Sequence, residues 1–154
     1  MRSRVAAVLL LAGVIGAVPA LAQTVTVEQP WARATAPHAA TGAVYATLTA
    51  GVADRLTGAS SPVAAQTGVH ETVQDNGVMR MRPVTGGLAL AAGKKIALAP
   101  GGYHLMMTGL KRQLRPGESF PLTLSFANEP AVTVDVTVAT AGAAAAPMGP
   151  MPMP

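Results

Sequence analysis

Apolar and polar side chains alternate with a period of two over residues 24–28 (TVTVE), 43–49 (AVYATLT), 122–126 (LTLSF) and 132–138 (VTVDVTV). Alternation of this kind belongs to strands that bury one face and show the other to water. No window of helical length carries a sustained 3.6-residue stripe. Turn chemistry recurs between the apolar runs, at Asp75-Asn76-Gly77, Thr85-Gly86-Gly87, Ala92-Gly93-Lys94, Pro100-Gly101-Gly102, Arg115-Pro116-Gly117 and Asn128-Glu129-Pro130. Many short strands with regular turns predict an all-β chain, an antiparallel sandwich or barrel. From Ala139 onward the composition collapses to little besides Ala, Gly, Pro and Met. Residues 140–154 are therefore expected to form a disordered tail.

The start of the chain follows a different pattern. Met1-Arg-Ser-Arg4 is basic, residues 5–18 are an apolar run that ends before Pro19, and Ala20-Leu21-Ala22 is a small-x-small triplet. The run is too short to cross a hydrocarbon layer of about 30 Å comfortably. Residues 1–22 are expected to be a secretory signal peptide, cleaved to leave Gln23 as the mature N-terminus. No second spanning segment follows, so stable membrane insertion is not expected. Residues 23–139 then make one domain of ordinary size.

Charge and cysteine content narrow the function classes. Without Arg2 and Arg4, nine basic residues face seven acidic ones, a net charge of +2 with histidine neutral. That bias is too weak, and its residues too scattered, to argue for nucleic acid. The chain has no cysteine, so it can neither be stapled by disulfides nor perform thiol chemistry.

Two segments carry candidate chemistry. His104 and Met106 share one face of their strand, with Leu105 and Met107 pointing the other way. His70 and Met81 flank the Asn76-Gly77 turn of a hairpin over residues 69–83. A two-residue loop sets Thr72 opposite Met81 and leaves His70 two residues along on the same face; a four-residue loop sets His70 directly opposite Met81. Only a three-residue loop would separate the two. Two imidazoles and two thioethers suit a soft monovalent ion, above all Cu(I), and suit zinc, calcium or magnesium poorly. A lone strand histidine is more often structural and most methionines fill cores, and on that ground Met107, Met79 and His38 are not assigned a role. For His70, Met81, His104 and Met106 the joint pattern favours metal ligation.

The spacing His70-x10-Met81 followed by His104-x-Met106 resembles the metal-binding signature of the PCuAC family of periplasmic copper chaperones. The similarity extends through Trp31-Ala-Arg33-Ala-Thr35, Asp54-Arg-Leu-Thr-Gly-Ala-Ser-Ser-Pro62, Gly77-Val-Met-Arg-Met-Arg-Pro-Val84, Pro100-Gly-Gly-Tyr-His-Leu-Met106 and Gly109-Leu-Lys-Arg112, nearly the whole mature domain. Met81 and His104 stand one residue further apart than is usual in the family. The extra residue is expected in the Gly86-Gly87 turn, where it leaves both strands in place.

The resemblance implies a cupredoxin-like fold with Greek-key connections and a periplasmic location. It also implies delivery of Cu(I) to the binuclear copper centre of cytochrome c oxidase, alongside a Sco-type thiol protein, with no enzymatic activity. Met148, Met151 and Met153 of the tail are either weak secondary copper donors or incidental to a low-complexity sequence. Rival functions fit less well. A blue-copper electron carrier needs a cysteine thiolate, and an oxygenase that binds copper through an N-terminal histidine is disfavoured by Gln23. A hydrolase has no Gly-x-Ser-x-Gly elbow to work with. A metal-free binding or adhesion module is the remaining alternative, and anaerobic Cu(I) titration separates it from a copper carrier.

Overall fold

The computed structural model describes residues 25–147. The expected signal peptide, residues 1–22, and the tail residues Met148, Met151 and Met153 lie outside that range. Ten strands, and no helix among the described residues, run in the order β1 (Val25–Arg33), β2 (Thr41–Ala50), β3 (Asp54–Ser60), β4 (Ala64–Asp75), β5 (Val78–Pro83), β6 (Leu88–Leu90), β7 (Lys95–Leu98), β8 (Tyr103–Leu110), β9 (Ser119–Phe126) and β10 (Val132–Ala139).

Seven of these strands close on themselves. The path β4-β8-β2-β1-β10-β9-β3 returns to β4 through the β3–β4 pairing, while β5, β6 and β7 hang from β4, β3 and β2. Closure removes the open edges that a flat sheet would leave unbonded. The barrel departs from the expected antiparallel arrangement at one seam, where β1 runs parallel to β10 with Trp31 opposite Thr137 and Arg33 opposite Ala139. The two ends of the domain meet there, so no hairpin is needed to join them and a parallel pairing is allowed.

The alternation read from the sequence becomes the barrel wall. Val44, Leu48, Leu105, Met107, Phe120, Leu122, Leu124 and Val136 point inward and are at most 2% exposed. Met107 is thus core filler, in keeping with its having no assigned role. The outward face of β8 instead carries His104 and Met106, because Leu105 pairs with Val44 and Met106 with Ala43.

One local irregularity changes which residues reach that outward face. In β1, Val25 and Val27 pair with Ala50 and Leu48, but a bulge between Glu28 and Trp31 inserts an extra residue. Gln29 adopts φ 49° there, and Pro30 has no N–H to lose from the ladder. The bulge reverses the phase of the strand. Ala32 goes into the core, and Trp31 turns outward to pack on Tyr45, with ring centroids 4.7 Å apart.

The segment expected to be a disordered tail begins with seated residues. No strand or helix forms over residues 141–147, but Arg33 Nε donates to the Ala143 carbonyl at 2.8 Å, and Ala143 and Ala146 pack against the Trp31–Tyr45 pair. Small apolar side chains and one backbone acceptor are enough to hold this stretch against an outward-facing aromatic surface.

The two faces of β8 and its neighbours should respond differently to truncation. Leu105→Ala or Met107→Ala empties a core position and is expected to lower unfolding free energy by about 2–5 kcal/mol. Met81→Ala, at a site 60% exposed, is expected to change it by no more than about 0.5 kcal/mol. Urea denaturation of the three variants measures both; equal losses would contradict the face assignment.

Candidate metal centre

The hairpin that joins β4 to β5 fixes the first pair of candidates. Asn76 and Gly77 have φ 48° and 78°, the two positive values that a type I′ two-residue turn requires. The register follows: Asp75 pairs with Val78, Thr72 with Met81, and His70 with Pro83. Of the alternatives open to the sequence, the structure takes the two-residue loop, and His70, Thr72 and Met81 share one face.

Pairing of β4 with β8 then brings the second pair alongside. His70 lies directly opposite His104, Gly68 opposite Met106, and Val69 opposite Leu105. The register from Thr67 to Glu71 is continuous, and so is that of β4 with β5. No bulge displaces Met81 or His104, and the glycines Gly86 and Gly87, both at positive φ, sit in the turn between β5 and β6. All four candidates therefore occupy one outward face of a three-strand strip. Its neighbour β2 extends this face with Ala43 and Tyr45.

The two imidazoles are held in the same way. His104 Nδ1 donates to the Gly102 carbonyl at 3.2 Å, and His70 Nδ1 donates more weakly to the Gly68 carbonyl at 3.4 Å. A carbonyl can only accept, so each ring carries its proton on Nδ1 and presents an Nε2 lone pair. The rings stack with centroids 6.0 Å apart, and Tyr45 stands 6.5 Å from His104 on its other side.

Burial separates the two. His104 is only 3% exposed, and its Nε2 is buried without a hydrogen-bond partner. Burial pushes its pKa below the ordinary histidine value; the Gly102 carbonyl partly opposes this, and the neighbouring His70 lowers it further. Asp54 is the other buried polar residue among those described, and its carboxylate is fully engaged. It accepts from Arg55 N at 2.7 Å, Glu129 N at 2.9 Å, Asn128 N at 3.0 Å and Asn128 Nδ2 at 3.1 Å. The hydroxyls of Thr49 and Thr67 are also buried without partners, but neither lines the cleft described next.

A cleft of about 450 Å³ opens over His104, walled by Met81 and Met106 together with Thr72, Tyr45 and Arg33. His70 is not part of its wall and stands beside His104 on the neighbouring strand β4. Among the described residues no carboxylate lines it, and Arg33 is its one charged group, the guanidinium lying 5.8 Å from the Tyr45 ring centre. No group of three or more His, Cys, Asp or Glu among the described residues is placed to hold a metal. The candidate donors are neutral imidazole and thioether, which do not supply the oxygen coordination that calcium and magnesium demand.

Met79 and His38, to which the sequence assigns no role, lie outside the cleft. Met79 shares Met81's face one pleat further out, opposite Gln74, and His38 sits in a loop at φ 62°. Conversely, sequence reasoning assigned no place to Tyr45, Trp31 or Arg33. Tyr45 lies within an alternating run that the sequence shows, but its adjacency to His104 depends on a β2–β8 pairing between distant segments. Arg33 lines the cleft and Trp31 packs on Tyr45 only because of the bulge at Gln29-Pro30.

Comparison with known proteins shows the family and the fold. Residues 25–138 match the family model described as “Putative lipoprotein LpqE-like”. A Leifsonia xyli subsp. xyli protein named “Putative lipoprotein Lxx21020” is 38% identical over 143 residues, covering 87% of this chain and 86% of its own. Among solved structures, Cu(I)-bound DR1885 from Deinococcus radiodurans is 30% identical over 81% of each chain with a TM-score of 0.55. The apo PCuAC domain of PmoF2, at 23% identity, covers 80% of this chain and 95% of its own with a TM-score of 0.65, a likeness of fold alone. The chain belongs to the LpqE-like, PCuAC-type family.

Proposed function

We propose that this protein is an extracytoplasmic Cu(I) carrier that binds one ion through His70, Met81, His104 and Met106. The observation that carries this reading is the buried, unpartnered Nε2 of His104 beneath a carboxylate-free cleft walled by two thioethers. An apolar-lined nitrogen lone pair with soft sulfur donors around it is chemically matched to Cu(I). Each imidazole is braced at Nδ1 by a backbone carbonyl, the arrangement that orients metal-binding histidines and raises their basicity. The Cu(I)-bound form of DR1885 supports copper as the cargo.

The route beyond binding is proposed from the resemblance to the PCuAC family. Copper carried in this way is delivered to the binuclear copper centre of cytochrome c oxidase, with a Sco-type protein as a further partner, and the chain acts as a carrier rather than a catalyst. The envelope location suggested by the lipoprotein names of its relatives agrees with a signal peptide at residues 1–22 and a periplasmic mature protein. These 154 residues contain no cysteine, so the lipid implied by those names has no thiol to attach to within them. No described helix is long and apolar enough to cross a membrane.

Anaerobic titration of the mature protein with Cu(I) is expected to give one ion per chain, and X-ray absorption of that complex a mixed nitrogen and sulfur shell. Replacing His104 by Ala or Met106 by Leu should weaken binding by at least the roughly 10–100-fold that even outer-sphere partners of metal ligands command. A stoichiometry well below one, or no sulfur scatterer, would mean a metal-free binding module instead.

Protons should compete with copper. Imidazole binds metal only when neutral, with an ordinary pKa near 6.5, and thioethers do not titrate. Affinity should be flat above about pH 6.5 and fall in more acid solution, approaching two protons per copper. Replacing His104 by Met should remove about one proton from that slope. In the apo protein the depressed His104 pKa means that the unfolded state binds the proton first, so its contribution to stability is present above about pH 6.5 and lost as pH falls through the folded value. Urea midpoints of apo wild type and His104→Gln should converge in acid.

A further inference from the structure

The described residues contain four methionines, and their exposure is sharply graded. Met79 is 56% exposed and Met81 60%, Met106 is half-buried, and Met107 is 0% exposed in the core. The cause is topological: β5 lies outside the closed ring, pairs only with β4, and is exposed at all six of its residues. The thioether at the open side of the cleft is therefore the one that solvent-borne oxidants meet first.

We propose that Met81 is an oxidation switch on copper loading. This rests on the reading of Met81 as a copper ligand given above. The sulfur lone pair attacks one oxygen of hydrogen peroxide, the O–O bond breaks as the S–O bond forms, and the departing hydroxide takes the proton of the sulfur-bound hydroxyl and leaves as water. Sulfur is oxidised by two electrons, and the peroxide is reduced by two. The product sulfoxide replaces a soft, neutral sulfur donor with a polar group whose accessible donor is a hard oxygen, which Cu(I) binds poorly. Methionine sulfoxide reductases reverse the change, and an exposed edge strand gives them access. Met79 has the same exposure and lies on the same face but does not wall the cleft. It reacts alike and leaves copper binding intact, which makes it the internal control.

The test treats the apo protein with hydrogen peroxide, removes the oxidant, maps sulfoxides by peptide mass spectrometry and titrates Cu(I) anaerobically. Met79 and Met81 are expected to oxidise at least about tenfold faster than Met107, with Met106 between. Oxidised wild type and oxidised Met79→Leu should both lose about tenfold or more in affinity, and treatment with both stereospecific sulfoxide reductases should restore it. Preloading with Ag(I), a soft ion without the redox chemistry of copper, should protect Met81 and not Met79. Oxidation of Met81 no faster than of Met107 would overturn the proposal. So would a Met81 sulfoxide protein that binds Cu(I) like untreated protein while Met81→Leu binds weakly, and in that case the ligand assignment stands. If Met81→Leu itself binds like wild type, the ligand assignment fails and the switch fails with it.

Discussion

The direct cross-strand pairing of His70 with His104 is the contact on which the rest of the site depends. It places two rings 6.0 Å apart with both Nδ1 protons committed to backbone carbonyls two residues earlier in the chain. Neither ring can satisfy its Nε2 by turning over without giving up that bond. For His104 the consequence is a buried acceptor with no partner, a condition that costs a folded protein about 1–3 kcal/mol. Among the described residues Asp54, the other buried polar side chain, draws four N–H donors, and besides the Thr49 and Thr67 hydroxyls the His104 nitrogen alone is buried without a partner. On the proposed reading, the ion supplies the missing partner.

Everything that lets this pairing exist is set by β-sheet geometry rather than by the site itself. The pleat sends Leu105 and Met107 into the core and His104 and Met106 out of it, so the hydrophobic drive that closes the barrel also fixes where the donors point. The type I′ turn at Asn76-Gly77 fixes the register of Met81 against Thr72. The bulge at Gln29-Pro30 adds the outer wall, because without it Trp31 would share the inward phase of Val25 and Val27. Tyr45 then covers His104 from the β2 side with Trp31 packed on it, and the backbone of Ala143 caps Arg33.

Much of this was legible in the sequence, and the limits are physical. Period-two alternation is a local signal, so the strands now numbered β1, β2, β9 and β10, and the face shared by His104 and Met106, could be read directly. The hairpin register could be narrowed but not chosen, since loop length decides it and Gln74 to Gly77 admits two lengths. The parallel β1–β10 seam, the short strands β6 and β7, and the adjacency of Tyr45 to His104 arise from pairings between distant segments. No local pattern encodes those. The bulge carries no sequence signal of this kind, because it breaks the period-two alternation itself. Residues 141–147 read as featureless because alanines carry little pattern, yet alanine is what fits flat against the Trp31–Tyr45 pair.

The four candidate ligands also form a gradient from interior to solvent, and that order bears on how a carrier works. His104 is buried, His70 and Met106 are half-buried, and Met81 is exposed on a strand outside the closed ring. A ligand on an edge hairpin can swing away at little cost, since few packed neighbours hold it. A ligand between packed rings cannot. On the proposed reading, an acceptor approaching the cleft displaces Met81 first and forms its own bond to copper before the histidines let go, so the ion is never bare. Neutral thioethers suit that exchange better than thiolates, which bind Cu(I) as anions and carry a proton requirement into every transfer. A protein that must hold a reactive ion securely and still surrender it places its anchoring nitrogens deep and its exchangeable sulfur at the surface.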